Sequence, residues 1–360
     1  MSDSVRRHYE LYPYPDYPLL ASVRRCDTYA NNLAALWSRF NGELPSQSLK
    51  RILIAGCGSF APYPFALANP DASITALDLS RHSLERARLH CLLHGITGVQ
   101  FLDGDLLDQA TAPGPFGLID AYGVLHHLED PLAGLRALAA RLGEGGILRV
   151  MVYSHYTRRE EESIRRALRL LKVREPKQVL AMVARSKADS RLRRFFQESD
   201  EVSFRSGLAD ALLHPCVTTY RIDPLMELVA ASGLKPLLFA HPSALPELEP
   251  ELARIRALEK ERSSPGNFVL YLGRNVKGAC TDGAATFLIN PCLSQALSRF
   301  RLAPLQIPGR LGQRSEPLSL AARRFLRRFR RPTQATELSA PELAQAQRYS
   351  EQLFLLRYSS

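Results

Sequence analysis

The chain has 360 residues, enough for two or three domains. Apolar residues make up 46% of it and charged residues 23%, a balance that fits a packed globular protein and excludes wholesale disorder. No run of 18 apolar residues exists, so no membrane-spanning helix is expected, and Met1–Arg7 lacks the apolar run of a signal peptide.

The net charge of +11 leaves two readings open: a polyanionic partner (RNA, DNA or anionic lipid) or a solvated Arg-rich surface. The six cysteines, Cys26, Cys57, Cys91, Cys216, Cys280 and Cys292, are scattered with no CxxC pair. Their spacing points to neither a zinc cluster nor a disulfide scaffold. It fits a reducing compartment, so a cytoplasmic location is expected and no metal is assigned.

In chain order, residues 1–48 read as a mostly helical cap. Its first part, Tyr9-Glu10-Leu11-Tyr12-Pro13-Tyr14-Pro15-Asp16-Tyr17-Pro18, is a strap or loop, because proline removes donors and forces extended backbone. A helical pattern follows near Thr28–Phe40, with Leu33, Leu36, Trp37 and Phe40 on one face. Residues 51–55 form a short apolar strand that ends in Gly56-Cys57-Gly58. Helix 61–68, strand 73–78 and helix 80–94, with Ser80 as its cap, come next. Strand 99–102 runs into Asp103-Gly104-Asp105. Strand 118–124, helix 131–142 with Pro131 in its first turn, and strand 147–153 complete this part. Residues 157–233 read as a helical insertion, basic in its Arg158–Arg205 part (14 Lys and Arg against 8 acids). The strand pattern returns at 234–240 and 267–272, with helix 246–262 between them.

This alternation predicts a doubly wound α/β sheet of seven strands with helices on both faces and ligands at the carboxyl ends of the strands. The expected organisation is an N-terminal cap (1–48), a main domain (49–274) and a small, mostly helical C-terminal appendage (275–360). From Arg299 to Arg331 the appendage holds ten Arg and one acid, Glu316. Within it, Arg323–Phe329 fits a basic amphipathic helix, a solvated face, or a patch for nucleic acid or another acidic partner.

The glycine turn follows a strand and precedes a helix. Glycine lets the backbone pass close to a ligand, and the helix start offers free N–H groups. Asp78 lies 20 residues after Gly58, at the end of the second strand, where a carboxylate can accept from both ribose hydroxyls. Asp103 and Asp105 close the third strand, where an acid can meet an adenine amino group. Together these residues describe a site for an adenosine-containing ligand. Ser59-Phe60-Ala61 stands in place of the later glycines of a dinucleotide motif, and no Walker lysine follows.

The segments Ile52-Leu53-Ile54-Ala55-Gly56-Cys57-Gly58, Ala76-Leu77-Asp78-Leu79-Ser80 and Asp103-Gly104-Asp105-Leu106 resemble those of class I S-adenosylmethionine-dependent methyltransferases. The most specific match is Leu125-His126-His127-Leu128-Glu129-Asp130-Pro131, followed by Gly145-Gly146. The resemblance covers about residues 50–275. It implies a Rossmann-like sheet, mostly parallel with one antiparallel strand, and S-adenosyl-L-methionine as cofactor. It also implies Ala55, Gly56, Cys57, Gly58, Asp78, Leu79, Asp105, Leu106 and Gly123 as the cofactor-binding residues.

His126 and His127 are the candidates for a general base, should the acceptor need one. Tyr12, Tyr14, Tyr153, His155, His214 and Tyr220 are candidates for an acceptor pocket. The chain departs from the family at Ala55, where an acid is usual, and at Phe60, where a glycine is usual. Three readings follow. One is methyl transfer by in-line displacement to a small molecule or a protein or peptide side chain. A second is transfer to RNA, with the basic C-terminal region as docking surface. The third is a non-catalytic, cofactor-binding adaptor.

Overall fold

In the computed structural model of the chain, residues 3–281, 283–298 and 303–359 are described. Helix α1 (Asp3–Leu11) opens the chain, so Tyr9, Glu10 and Leu11 end a helix and the extended strap starts only at Tyr12. The pattern around 28–40 splits into a 3-10 segment, Arg25–Asn31, and α2 (Leu33–Asn41). The break falls at Asn32, whose side chain caps α2 by accepting from Ala35 N at 2.9 Å.

The main domain follows as β1 (Arg51–Ala55), α3 (Pro62–Ala68), β2 (Ser73–Asp78), α4 (Arg81–Leu93), β3 (Val99–Asp103), β4 (Phe116–Tyr122), α5 (Pro131–Arg141) and β5 (Leu142–Val152). Ser80 caps α4 through Ser83 N at 3.1 Å, and Asp130 caps α5 through Ala133 N at 2.9 Å. The insertion is helical throughout: α6 (Arg159–Leu170), α7 (Pro176–Arg185), α8 (Arg191–Glu198), α9 (Arg205–Leu213) and α10 (Ile222–Ala231). Strand β6 (Lys235–Phe239), α11 (Leu248–Lys260) and β7 (Phe268–Gly273) close the sheet.

The sheet order is β3-β2-β1-β4-β5-β7-β6. All neighbours run parallel except those of β7, which is antiparallel to both β5 and β6. The strand order reverses between β1 and β4, so the carboxyl ends of β1, β2 and β4 open one crevice.

Successive residues of β1 point to opposite faces and feed two cores. Ile52 and Ile54 join the core that holds Tyr29, Leu36 and Trp37 of the N-terminal cap. Leu53 and Ala55 join the core under Leu135 and Leu138 of α5, Leu225 of α10 and Ile255 of α11. The insertion adds a small core of its own around Ile164, Leu168, Val179 and Leu212.

The C-terminal segment holds β8 (Thr286–Ile289), α12 (Ser294–Ser298), α13 (Leu320–Arg328), β9 (Thr333–Gln334), α14 (Ala340–Glu351) and β10 (Leu355–Tyr358). Its three strands form an antiparallel sheet, β10-β8-β9, which the sequence pattern hides because no strand exceeds four residues. Phe287, Leu326, Phe329 and Phe354 share the core of the N-terminal cap. Asn290 Nδ2 donates to Tyr29 O at 3.1 Å and Ser359 N to Gly42 O at 2.8 Å. The apolar side of α13 is therefore spent on this core rather than on a membrane or partner. Arg299 and Arg301 of the basic stretch lie outside the described residues. Among the described residues, no helix is long and apolar enough to cross a membrane.

Candidate cofactor and acceptor cavity

At the carboxyl end of β1 the chain turns through Gly56 (φ 69°) and Gly58 (φ 55°), left-handed conformations that favour glycine. The amides of Gly56 and Cys57 both donate to Leu77 O, at 2.8 and 3.1 Å. The neighbouring strand thus holds the turn.

Asp78 ends β2. Its Oδ2 accepts from Gly58 N at 2.8 Å and its Oδ1 from Ser80 N at 2.9 Å. Each carboxylate oxygen keeps lone-pair capacity for a ligand hydroxyl. Burial pushes the Asp78 carboxyl up to about 6, against the backbone hydrogen bonds that favour its ionised form.

These groups face a cavity of about 850 Å³, which fits the range of small-molecule sites. Of the residues singled out in the sequence, Gly56, Cys57, Gly58, Asp78, Leu79, Leu106, Gly123 and His127 line it. Three of the expected cofactor-binding and base residues do not. Ala55 is fully buried with its methyl in the core under α5. Asp105 closes its own turn, Oδ1 accepting from Leu107 N at 2.9 Å, so Gly104 and Leu106 meet the cavity in its place. His126 is also fully buried, its ring stacked 3.8 Å from that of Tyr153. In the 3-10 turn Leu125–His127, adjacent side chains point different ways, so only one of the two histidines reaches the wall.

His127 Nδ1 lies 2.9 Å from Cys216 O. A carbonyl only accepts, so Nδ1 carries the proton and Nε2 the lone pair. Burial lowers this histidine to about 4, leaving the ring neutral at pH 7. Among the candidate acceptor residues, Tyr14 and Tyr153 line the cavity and Tyr12 and His214 do not. His155 and Tyr220 face a separate, shallower depression.

The far end of the cavity uses residues that carry no motif. Tyr9 Oη donates to Asp210 Oδ1 at 3.0 Å and Tyr153 Oη to Oδ2 at 3.4 Å. Arg158 lies 3.9 Å over the Tyr153 ring and bonds Glu201 at 2.8 Å. Tyr14 stacks near Phe204. Burial raises Asp210 to about 6. A second missed pair, Asp120 and Arg149 (2.5 Å), lies on the wall near Tyr122. A salt-bridge register between two adjacent strands was the available signal, but it needs the strand pairing to be known.

The strap closes one side. Tyr14 O accepts from Ser59 N at 3.2 Å, and Pro15 O accepts from Ser59 Oγ. Arg86 grips Asp16 at 2.9 Å and Tyr17 O at 2.6 Å. Tyr14 and Pro15 thereby sit directly against Gly58, where any side chain would overlap the Tyr14 carbonyl.

Comparison with known proteins places this geometry. A model described as a methyltransferase domain matches residues 53–148. An uncharacterised protein of Synechococcus sp. is 32% identical over 251 residues, 67% of this chain and 60% of that protein. A ubiquinone biosynthesis O-methyltransferase of Vibrio parahaemolyticus is 33% identical over 98 residues, 27% of this chain and 41% of that enzyme. The chain thus spans less than two thirds of the length of either relative. In three dimensions it resembles PKMT2 from Rickettsia typhi, with a TM-score of 0.55 at 14% identity, covering 96% of this chain and 77% of that one. The same neighbour in complex with AdoHcy gives 0.53 at 16% identity, covering 97% and 78%. At such identities the likeness is one of fold.

Proposed function

We propose that the chain is a class I S-adenosylmethionine-dependent methyltransferase that moves the cofactor's methyl group to a small-molecule or protein side-chain acceptor held in the same cavity. The observation that carries this reading is Asp78. Its carboxylate is fastened to the glycine turn, faces the cavity, and retains acceptor capacity for the ribose hydroxyls. Gly58, Leu79 and Leu106 would flank the adenosine.

S-adenosylmethionine supplies an intrinsically activated methyl group, so the protein's work is to align the acceptor and exclude water. The strap, the half-buried Tyr9, the buried Tyr153 and Phe204 suit that task. His127 Nε2 offers a lone pair to an acceptor hydroxyl, a weak base at its lowered pKa but a competent hydrogen-bond acceptor. His126, sealed off the wall, takes no part in this reading. The Arg-dense C-terminal stretch is not used either, since α13 commits Arg323 and Leu326, and the residue after it, Phe329, to the interior.

The test is calorimetric titration with S-adenosylmethionine and S-adenosylhomocysteine, followed by transfer of labelled methyl groups in cell extract. One-site micromolar binding of both and a labelled product are expected. Absence of binding to either would refute the reading, and binding without any labelled product would favour an adaptor.

A further inference from the structure

Beside the acceptor end of the cavity, three side chains from distant parts of the chain meet in the interior. His8 of α1, Asp210 of α9 and His214, the residue after α9, each offer a ligand-type atom, and these atoms lie within 4.8 Å of one another. All three residues are more than nine-tenths buried. Nε2 of His8 and Nε2 of His214 have no hydrogen-bond partner. Buried polar atoms are almost always paired, so two orphans beside one carboxylate call for a missing ligand. The residues are 202 and 4 positions apart, which is no short ligand motif, so sequence spacing conceals them.

We propose that His8, Asp210 and His214 bind a divalent first-row transition metal such as zinc or iron(II), a site independent of the methyl-transfer reading. Two imidazoles and one carboxylate, with no thiolate, are a donor set that suits those ions. Some point lies within about 2.8 Å of all three ligand atoms, against about 2.0–2.2 Å for bonds to zinc, so small side-chain shifts close the shell.

The carboxylate is already oriented from behind. Tyr9 Oη donates to its Oδ1 and Tyr153 Oη to its Oδ2, the outer-shell support that metal-bound carboxylates use. One contact opposes the site. Cys216 N donates to His214 Nδ1 at 3.1 Å, which places that ring's proton on Nε2. Metal binding moves the proton to Nδ1 and releases the Cys216 amide, which is half-buried and can turn to water. One hydrogen bond is a small loss beside a metal–imidazole bond. The bound ion would fasten α1, and with it the strap, to the insertion. Since Asp210 also lines the cavity, the ion would keep a position open on that side.

The test uses chelator-dialysed full-length protein and the metals alone. Cobalt(II) should give a saturable visible absorption at one equivalent, and zinc should displace it and raise the melting temperature. His8→Ala, His214→Ala and the near-isosteric Asp210→Asn should each weaken cobalt binding by at least about tenfold while far-UV circular dichroism stays unchanged. His155→Ala, half-buried and outside the triad, should bind like the parent. Absence of the cobalt signal and of any zinc-dependent rise in melting temperature would overturn the proposal. So would triad variants that still fold and bind as the parent does, since the metal would then sit on surface histidines.

Discussion

The two ends of the cavity are built by different means. The cofactor end is backbone work: a glycine turn, a strand carbonyl and one carboxylate, all supplied by residues 55–80. The hydrogen bonds among these three groups are short in sequence, such as Gly58 to Asp78. The acceptor end is side-chain work, assembled from α1, the strap, the end of β5 and the insertion. Its central contact joins Tyr9 to Asp210 across 201 positions. The first end can be kept by a short conserved spacing; the second can be rebuilt by any helix or strap that reaches it. That division lets one fold present one cofactor to many acceptors.

The comparison breaks most sharply at Asp78. Asp78→Ala removes the proposed ribose acceptor and the anchor of the Gly58 amide together. S-adenosylhomocysteine affinity should fall on the order of a hundredfold, about 3 kcal/mol, by calorimetry. An unchanged affinity would mean that the cofactor end lies elsewhere. Gly58→Ala comes next. The left-handed backbone there costs a non-glycine residue about 1–2 kcal/mol, and the new methyl would press on the Tyr14 carbonyl. Cofactor affinity should drop roughly tenfold or more. Limited proteolysis should then cut within residues 12–18, which the parent protects.

The same division explains what could be read from the residues alone. The seven strands, the glycine turn and Asp78 follow from local period and a fixed offset, and all occur in the expected order, although β4 lies two residues early and β5 starts five residues before its expected position. The His126-His127 pair shows the limit. Two adjacent identical residues look equivalent in sequence, but a 3-10 turn buries one against Tyr153 and leaves the other on the wall. Asp105 differs in a similar way: it follows the third strand as expected, yet its Oδ1 accepts from its own turn and the residue does not line the cavity. Nothing in α9 marks Asp210, a single acid in an apolar helix, until α1 brings Tyr9 against it. The C-terminal sheet stayed hidden because strands of two to four residues show no usable alternation.

Acidity separates the two ends more finely. Burial holds the Asp78 carboxyl near 6 in the folded protein against 3.8 for the free side chain. In the unliganded protein its contribution to stability is therefore complete below about 4 and lost as pH rises through 6. Cofactor binding has the opposite sign, because a protonated carboxyl loses acceptor capacity. S-adenosylhomocysteine affinity should be flat from pH 8 to 7 and weaken toward about tenfold by pH 5. A flat profile down to pH 5 would exclude Asp78 as the ribose acceptor.

Tyr9→Phe is the smallest change and the most discriminating. It deletes the hydroxyl that donates to Asp210 and keeps the ring on the cavity wall. The buried carboxylate loses one of its two tyrosine donors, so stability should fall by about 1–2 kcal/mol in denaturant unfolding. S-adenosylhomocysteine affinity should remain within about threefold of the parent, because no hydrogen bond links Tyr9 Oη to the glycine turn or to Asp78. Loss of both stability and cofactor affinity would show that the strap transmits strain from one end to the other. Loss of stability alone would show that the Tyr9–Asp210 bond supports the acceptor end without bearing on the cofactor end.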